Sequence, residues 1–148
     1  FKNLFNSVAA YGVGSHRHTA EIDQELSKAG KREISVFFTP HLIPMYRGIL
    51  STIYLEPSKS KSAKEIHIFL KKYHKKNHFV KVVDFGKTIN TGSVINTNFC
   101  EISVCPSRNK KKIIIISTID NLIKGGAGQA VQCFNIISNL DEKSGFIN

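Results

Sequence analysis

Apolar residues recur three or four positions apart in three stretches of the chain, and this spacing predicts three helices. The first covers residues 19–30, where Thr19 can cap the amino end and Gly30 can end the helix. The second begins at Ser62 and Glu65, which have the spacing of a capping box. Its predicted buried stripe consists of Ile66, Phe69, Leu70 and Tyr73.

The third predicted helix covers residues 129–140, with an apolar face made of Ala130, Cys133, Phe134, Ile137 and Leu140. Shorter apolar or alternating stretches predict five strands, at residues 34–38, 48–55, 80–83, 99–104 and 113–118. A polar loop at residues 106–110 joins the last two strands as a hairpin, and residues 57–61 form another loop. Alternation along residues 99–104 predicts one buried face, whereas residues 113–116 are apolar on both faces.

These elements predict an α+β fold: a mixed, largely antiparallel sheet with helices packed on it. A length of 148 residues suits one ordinary domain, so we expect residues 1–148 to form a single domain. The composition, 41% hydrophobic and 22% charged residues, is typical of a globular chain. Because no apolar run approaches the roughly 18 residues that span a bilayer, we expect no membrane partner.

Three cysteines, Cys100, Cys105 and Cys133, cannot all pair with one another, and none belongs to a CxxC motif. This pattern is typical of free thiols in a reducing compartment, which predicts a cytoplasmic protein. The chain starts without methionine and without the layout of a signal peptide, so we expect it to be a fragment.

The net charge of +10 raises the question of a nucleic-acid partner. Much of this charge lies in two lysine-rich runs, at residues 71–76 and 110–112. The first run falls on a predicted helix and the second at a predicted turn, which favours solvated surfaces over a nucleic-acid site. A basic module that binds RNA or another polyanion is kept as an alternative.

The densest polar cluster is at residues 11–22, with the sequence YGVGSHRHTAEI. Its two glycines resemble a dinucleotide-binding loop, but Arg17 stands in place of the third glycine and no suitable strand precedes it. His16 and His18, two residues apart, can face one side of an extended segment just before a helix. A histidine in that setting can act as an acid or base near neutral pH.

Two neighbours support such a role. Glu21 lies one helical turn beyond His18 and can orient its ring, while Arg17 and the helix amino terminus favour an anion. Alternatively, the two histidines cap the helix and contact solvent. We expect no metal site, because a third ligand would have to come from a distant residue such as His41.

Two further clusters carry polar or small residues at predicted turns. In the first, FTPHLIPMYRGI at residues 38–49, Arg47 stands just before a strand and offers a planar fork for carboxylate or phosphate. The second, IDNLIKGGAGQAVQ at residues 119–132, places small residues before a helix, where a ligand or another backbone segment can approach closely. A surface arginine and close packing are the alternative explanations of these two clusters.

These three stretches and TNFCEI at residues 97–102 occur in this order, and together they resemble the carboxy-terminal half of the N-acetyl-γ-glutamyl-phosphate reductase family. The family usually has glycine at the position of Ser15 and proline at that of Ala20, and both departures leave the histidines in place. The resemblance implies the fold of the carboxy-terminal domain of glyceraldehyde-phosphate and aspartate-semialdehyde dehydrogenase-like reductases.

It also implies an oxidoreductase of arginine biosynthesis that uses NADPH to reduce N-acetyl-γ-glutamyl phosphate to N-acetylglutamate semialdehyde. The proton-transferring histidine maps onto His18 or, less well, onto His16, with Glu21 as its orienting partner. The substrate-binding candidates are Arg47, Arg17 and Tyr11. The candidates on the nicotinamide side of NADP are Asn121, Gly125, Gly126, Gly128 and Gln129.

The family's nucleotide-binding loop and nucleophilic cysteine match no part of this chain, so we expect the NADP-binding domain to be absent and the chain alone to be inactive. The parallel reductase of lysine biosynthesis shares this domain and is the closer alternative. We expect a homo-oligomer, a dimer or tetramer, because residues 113–116 need cover on both faces. The apolar face of the last helix should contact the absent domain.

Overall fold

The structure is a computed structural model that describes residues 5–57 and 61–146. Its backbone separates into two compact units, Phe1–Tyr46 and Arg47–Asn148. The single-domain organisation of residues 1–148 stays a prediction. Residues 58–60 of the loop predicted at 57–61 lie outside the described residues.

The first unit contains one helix and a short strand pair. Strand β1 (Ala9–Ala10) pairs antiparallel with β2 (His41–Leu42), and helix α1 (Arg17–Gly30) lies between them in sequence. The predicted end at Gly30 is confirmed, but the predicted cap at Thr19 is wrong. His16 is the N-cap, since its Nδ1 accepts a hydrogen bond from the backbone N–H of His18 at 3.2 Å.

The buried strand predicted at residues 34–38 is also wrong. Its backbone groups bond to helix side chains instead of a neighbouring strand. The N–H of Ile34 donates to Ser27 Oγ at 2.8 Å, and the N–H of Val36 donates to Asp23 Oδ1 at 2.9 Å. Phe37 is fully exposed and Ile34, Val36 and Phe38 are half-buried, so the segment is neither a strand nor fully buried.

The second unit is built on a four-stranded sheet. Its elements, in chain order, are β3 (Ile49–Leu55), α2 (Ala63–Tyr73), β4 (Val80–Val82), β5 (Cys100–Pro106), β6 (Ile113–Ile119) and α3 (Gly128–Ile137). The strand order is β3-β6-β5-β4; β3–β6 and β6–β5 are antiparallel, and β5–β4 is parallel. The predicted α+β class with a mixed, largely antiparallel sheet is therefore confirmed.

The sheet is buried in its middle and exposed at the β3 edge. Ser103 and Val104, neighbours on β5 that point to opposite faces, are both fully buried, so the single buried face predicted for this strand is wrong. On β6, Ile113 is buried and the next three isoleucines are half-buried. The apolar strand that lacks cover is β3, with Ile49, Leu50, Ile53 and Tyr54 exposed.

Helix α2 begins with the predicted capping box, in which Ser62 and Glu65 bond to each other's backbone N–H groups. Its predicted buried stripe is only half right. Phe69 and Tyr73 are exposed and stack on each other, while His67 is buried and donates from Nε2 to the carbonyl oxygen of Val83 at 2.9 Å. The Val83 carbonyl satisfies the hydrogen-bond donor of the His67 ring. A polar residue can therefore occupy the buried face of α2.

Helix α3 presents its apolar face to solvent, and the predicted contact of this face with an absent domain stays a prediction. Phe134 and Ile137 are exposed, at 63% and 80%. The side buried against the fold holds Asn135, which donates from Nδ2 to the carbonyl oxygens of Glu142 and Ser144.

Candidate functional site

The first unit brings the two candidate histidines together. The ring centroids of His16 and His18 are 4.8 Å apart in an edge-to-face arrangement, and His16 also meets the rings of Tyr11 and Phe38, each at 5.3 Å. His16 is half-buried among these rings, whereas His18 is exposed at the start of α1. The sequence-based prediction that the pair shares one side is therefore consistent with the geometry.

The two histidines have different hydrogen-bonding tasks. Nδ1 of His16 must be unprotonated, because it accepts the N–H of His18 as the helix cap. The ring proton of neutral His16 consequently sits on Nε2. Among residues 5–57 and 61–146, the ring of His18 forms no hydrogen bond and has the edge-to-face contact with His16.

Gly12 keeps His16 in this place. It has a φ of +57°, a conformation that favours glycine, and an added Cβ would lie 3.0 Å from Cδ2 of the His16 ring. The N–H of Ser15 closes the turn on the carbonyl of Gly12 at 3.0 Å. Gly12 thus serves a tight turn against an imidazole.

The other candidates of this unit are exposed. Arg17 is the first residue of α1, and Tyr11 is 41% exposed with its backbone N–H bonded to Pro40. Within the described residues, the side chains of Glu21 and Arg17 form no hydrogen bond or ion pair, so the predicted orientation of His18 by Glu21 stays a prediction.

The second unit holds Arg47, which is anchored by a buried carboxylate. Its Nη1 lies 3.2 Å from Oδ2 of Asp120, and the side chains are 35% and 0% exposed respectively. The next residue along the chain adds a second link, because Asn121 Oδ1 accepts the backbone N–H of Gly48 at 2.7 Å. Sequence reasoning named Asn121 and Arg47 separately, and the structure brings them together where β3 begins and β6 ends.

Burial alone would raise the pKa of Asp120, and it is the largest single influence on that carboxyl. Three backbone N–H donors, from Asn96, Leu122 and Ile123, and then the Arg47 guanidinium act in the opposite direction. Together they hold the pKa of Asp120 below its ordinary value, so the carboxylate stays charged at neutral pH.

The turn before α3 contains the remaining candidates. Gly125 and Gly126 are exposed, and Gly126 has φ −153° and ψ −115°, which interrupts the helical turn Ile123–Ala127. Gly128 is buried, and a Cβ there would lie 2.5 Å from Asn98 Oδ1 and 2.6 Å from Cγ2 of Ile123. Close packing therefore explains Gly128, whereas the first two glycines leave an open surface. Gln129 donates to Cys133 Sγ at 3.3 Å.

A polar network behind this turn was not found from the sequence. Gln132 Oε1 accepts hydrogen bonds from Lys124 Nζ at 2.7 Å and from Asn98 Nδ2 at 3.0 Å, and its Nε2 donates to Glu142. Burial lowers the pKa of Lys124, against the opposing influence of Cys100 and Glu142. The residues of this polar network are separated by up to 44 positions along the chain, from Asn98 to Glu142. No local sequence pattern links them.

The described residues contain no group of three or more histidine, cysteine or acidic side chains that could hold a metal ion. None of the helices in the described part has the length and apolar character needed to cross a bilayer. The two lysine-rich runs lie where they were predicted: at the end of α2 with the short helical turn His74–Lys76, and in the β5–β6 loop.

Comparison with known proteins gives matches over most of the chain. The family model described as semialdehyde dehydrogenase, dimerisation domain, matches residues 1–121. An N-acetyl-gamma-glutamyl-phosphate reductase from Afipia carboxidovorans is 46% identical over 145 residues, which is 98% of this chain and 41% of that protein. One from Acetivibrio thermocellus is 47% identical over 139 residues, 94% of this chain and 40% of that protein.

A protein of Arabidopsis thaliana named a probable chloroplastic N-acetyl-gamma-glutamyl-phosphate reductase is 41% identical over the whole chain and 37% of its own length. The chain thus spans about two fifths of the curated relatives that it matches. Aspartate semialdehyde dehydrogenase II from Vibrio cholerae is similar in structure, with a TM-score of 0.67 over 83% of this chain and 37% of that chain, at 17% identity. At that identity the likeness shows the fold alone.

Proposed function

This chain belongs to the semialdehyde dehydrogenase, dimerisation domain family, and from that premise we propose that it is part of an NADPH-dependent N-acetyl-γ-glutamyl-phosphate reductase. In this proposal it supplies the acid/base histidine, a substrate-binding arginine and the subunit contact for an oxidoreductase of arginine biosynthesis. The observation that carries the proposal is 46% identity to such a reductase over 98% of the chain.

His18 is the proton-transferring group in this proposal. Reduction of an acyl phosphate to an aldehyde passes through a tetrahedral oxyanion, which is stabilised by a donor that can give up a proton. His16 is committed as an acceptor to the cap of α1, so that a proton on its Nδ1 would remove the cap. In the part of the chain that the structure describes, the exposed ring of His18 forms no hydrogen bond, which favours it over its neighbour.

The anionic substrate is the reason to include three further residues. Arg47 carries a guanidinium that is 35% exposed and already oriented by Asp120, which suits a carboxylate or phosphate. Arg17 and Tyr11 are exposed near the start of α1 and are proposed as additional substrate contacts. Glu21 is proposed to orient His18 when substrate is bound.

NADPH, when bound, supplies the hydride. The exposed backbone at Gly125 and Gly126 fits close approach by such a group, since an added Cβ at Gly126 would meet only the Asn121 carbonyl, at 3.5 Å. Asn121 and Gln129 lie on either side of these glycines in the sequence and are proposed to line that surface. Gly128 is packed against protein on the inner side, so its proposed contribution is to the shape of the turn.

An activity assay tests the proposal directly. The full-length protein should oxidise NADPH when given N-acetyl-γ-glutamyl phosphate and should release phosphate. Absence of turnover with this substrate, together with turnover on the carrier-bound substrate of lysine biosynthesis, would contradict it.

Two histidine variants test the division of roles. His18→Ala should lower kcat by about 10²-fold or more, the usual contribution of a general acid or base. His16→Asn, which retains a side-chain acceptor for the helix cap, should keep most of the turnover. A severe loss in His16→Asn with a mild one in His18→Ala would exchange the two roles.

We also propose that the chain forms a two-fold dimer through its sheet, in a cytoplasmic enzyme. Ile49, Leu50, Ile53 and Tyr54 are 44–68% exposed on the edge strand β3, and they provide apolar surface on both faces of the sheet. A specific dimer should bury at least about 1,000 Å² in total. The exposed strand β3 lies next to β6 in the sheet, and β6 contains residues 113–116, for which the sequence predicted cover by a partner.

A further inference from the structure

The carboxylate of Asp120 divides its two oxygens between two parts of the fold. Oδ1 accepts the backbone N–H groups of Leu122 at 2.8 Å and Ile123 at 3.0 Å, which fixes the turn that follows β6. Oδ2 accepts the N–H of Asn96 at 2.8 Å and Nη1 of Arg47 at 3.2 Å. A single fully buried side chain therefore joins the Asn96 turn, the turn after β6 and the guanidinium of Arg47.

Burial makes this contact different from an ordinary surface ion pair. Asp120 is 0% exposed, so its negative charge is shielded from water and all its accepting capacity is used within the fold. Arg47, at 35% exposure, has this carboxylate as its ion-pair partner within the described residues. Among the described residues, Nη1 is the one guanidinium atom that forms a hydrogen bond, which leaves the rest of the fork for a ligand.

The backbone beside Arg47 is fixed as well. Gly48 donates its N–H to Asn121 Oδ1 at 2.7 Å, and it has a φ of +108°, where an added Cβ would lie 2.7 Å from Cβ of Thr91. Two consecutive residues, Asp120 and Asn121, thus hold two others, Arg47 and Gly48. Arg47 is therefore fixed at its guanidinium by Asp120 and at the adjacent backbone, through Gly48, by Asn121.

We propose that Asp120 is the positioning residue for Arg47, holding its guanidinium in advance in the orientation that grips the anionic group of the acyl-phosphate substrate. This inference rests on the proposed function, because it assigns a role to Arg47 in the same site. Asp120 acts through the arginine and has no contact with substrate. Because its other oxygen anchors the turn leading to Gly125, one carboxylate also sets the place of the surface proposed for the cofactor.

Asparagine at position 120 separates the two tasks. An amide has one accepting oxygen and one donating nitrogen. If the oxygen keeps the amides of Leu122 and Ile123, the nitrogen faces two other donors, Asn96 N–H and Arg47 Nη1, and releases the arginine. The turn after β6 remains fixed, while the guanidinium of Arg47 and the N–H of Asn96 both lose their acceptor.

A double-mutant cycle in the full-length enzyme tests the inference, with Asp120→Asn, Arg47→Ala and the double variant. Asp120→Asn should raise KM for the acyl phosphate about 10-fold while kcat changes by less than about 3-fold, as expected for lost ground-state binding. In the Arg47→Ala background it should add nothing, since the two residues act as one unit. KM for NADPH should stay within about 2-fold of the wild-type value.

If Asp120 served the fold alone, the double-mutant cycle would give a different result. The effect of Asp120→Asn on KM would then add to that of Arg47→Ala, and the melting temperature would fall in proportion to the loss of activity. Additive effects, or an unchanged KM in a folded Asp120→Asn variant, would overturn the inference. If Asp120→Asn does not fold, Asp120→Glu, which keeps the charge and displaces it, takes its place in the same cycle.

A failure of the proposed function would be seen in the turnover of the wild-type enzyme and not in the double-mutant cycle. A wild-type enzyme without turnover on the acyl phosphate would refute the function and the inference with it. Normal wild-type turnover with an unchanged KM in Arg47→Ala would remove Arg47 and Asp120 from the site, and would leave the reductase assignment standing.

Discussion

Substitution of Gly128 by alanine sets two opposing effects against each other. The residue is the first of α3, with helical φ −64° and ψ −39°, so alanine would fit the backbone and gain about 1 kcal/mol from its better helix propensity. The new Cβ, however, would lie 2.5 Å from Asn98 Oδ1, 2.6 Å from Cγ2 of Ile123 and 2.9 Å from the Ile123 carbonyl oxygen. The last contact is with backbone and cannot be relieved by a rotamer change.

The steric effect should win. Overpacking of this kind costs about 1–3 kcal/mol, and displacement of Asn98 weakens its bond to Gln132, worth about 1 kcal/mol more. After the gain in propensity, we expect a net loss of about 1–3 kcal/mol, which is a fall in melting temperature of about 2–4 °C for each kcal/mol.

Urea unfolding followed by circular dichroism measures this loss, with Gly125→Ala as the matched control. There the nearest atom to an added Cβ is the terminal Cδ1 of Ile119, at 3.3 Å, which can move. A Gly128→Ala protein as stable as the control or more so would refute the packing argument. It would also return Gly128 to the residues whose surface serves a ligand.

Two further changes test the helix cap and the sheet edge. Hydrogen bonds from Ser62 N–H, then from Lys61 and the Ser62 hydroxyl, lower the pKa of Glu65 to about 2. Since the folded-state pKa is the lower one, the charge stabilises the fold fully above the ordinary value of 4.5, and this stability disappears as the pH falls through about 2. Glu65→Gln should therefore have a lower melting temperature than wild type at pH 7, with the difference vanishing over that range; a constant difference would contradict the assignment. Ile53→Lys should yield monomer in sedimentation velocity, while Ile68→Lys, at another exposed apolar position, should remain dimeric.

Local patterns predicted much of the second unit. The β5–β6 hairpin and the start of α2 are confirmed, because a polar loop between two apolar strands and a Ser–Glu pair three apart each determine structure within a few residues. The predictions failed where the partner of a backbone group is distant. The N–H of Val36 bonds to Asp23, 13 positions earlier, and this pairing leaves residues 34–38 without a strand partner.

The candidate site was predicted in the same uneven way. His16 and His18 were found because adjacent residues carry the signal, although the sequence could not tell which of them caps α1. Asp120 was not identified as the anchor of Arg47, since the two are 73 positions apart. A buried carboxylate becomes stable only when donors from separate segments converge on it, and that convergence is a property of the fold.

Three buried polar residues are not indicated by the apolar periodicity of the sequence. His67, Asn135 and Asp120 are all nearly inaccessible, and each bonds to backbone groups: a strand-end carbonyl, two loop carbonyls and three amides respectively. Each polar residue that turns inward on a helix turns an apolar one outward, so α2 exposes Phe69 and α3 exposes Phe134. Such apolar surface is costly to leave in water and is suited to contact with another protein surface. The bonds that bury these polar side chains therefore also determine which apolar side chains of α2 and α3 face solvent.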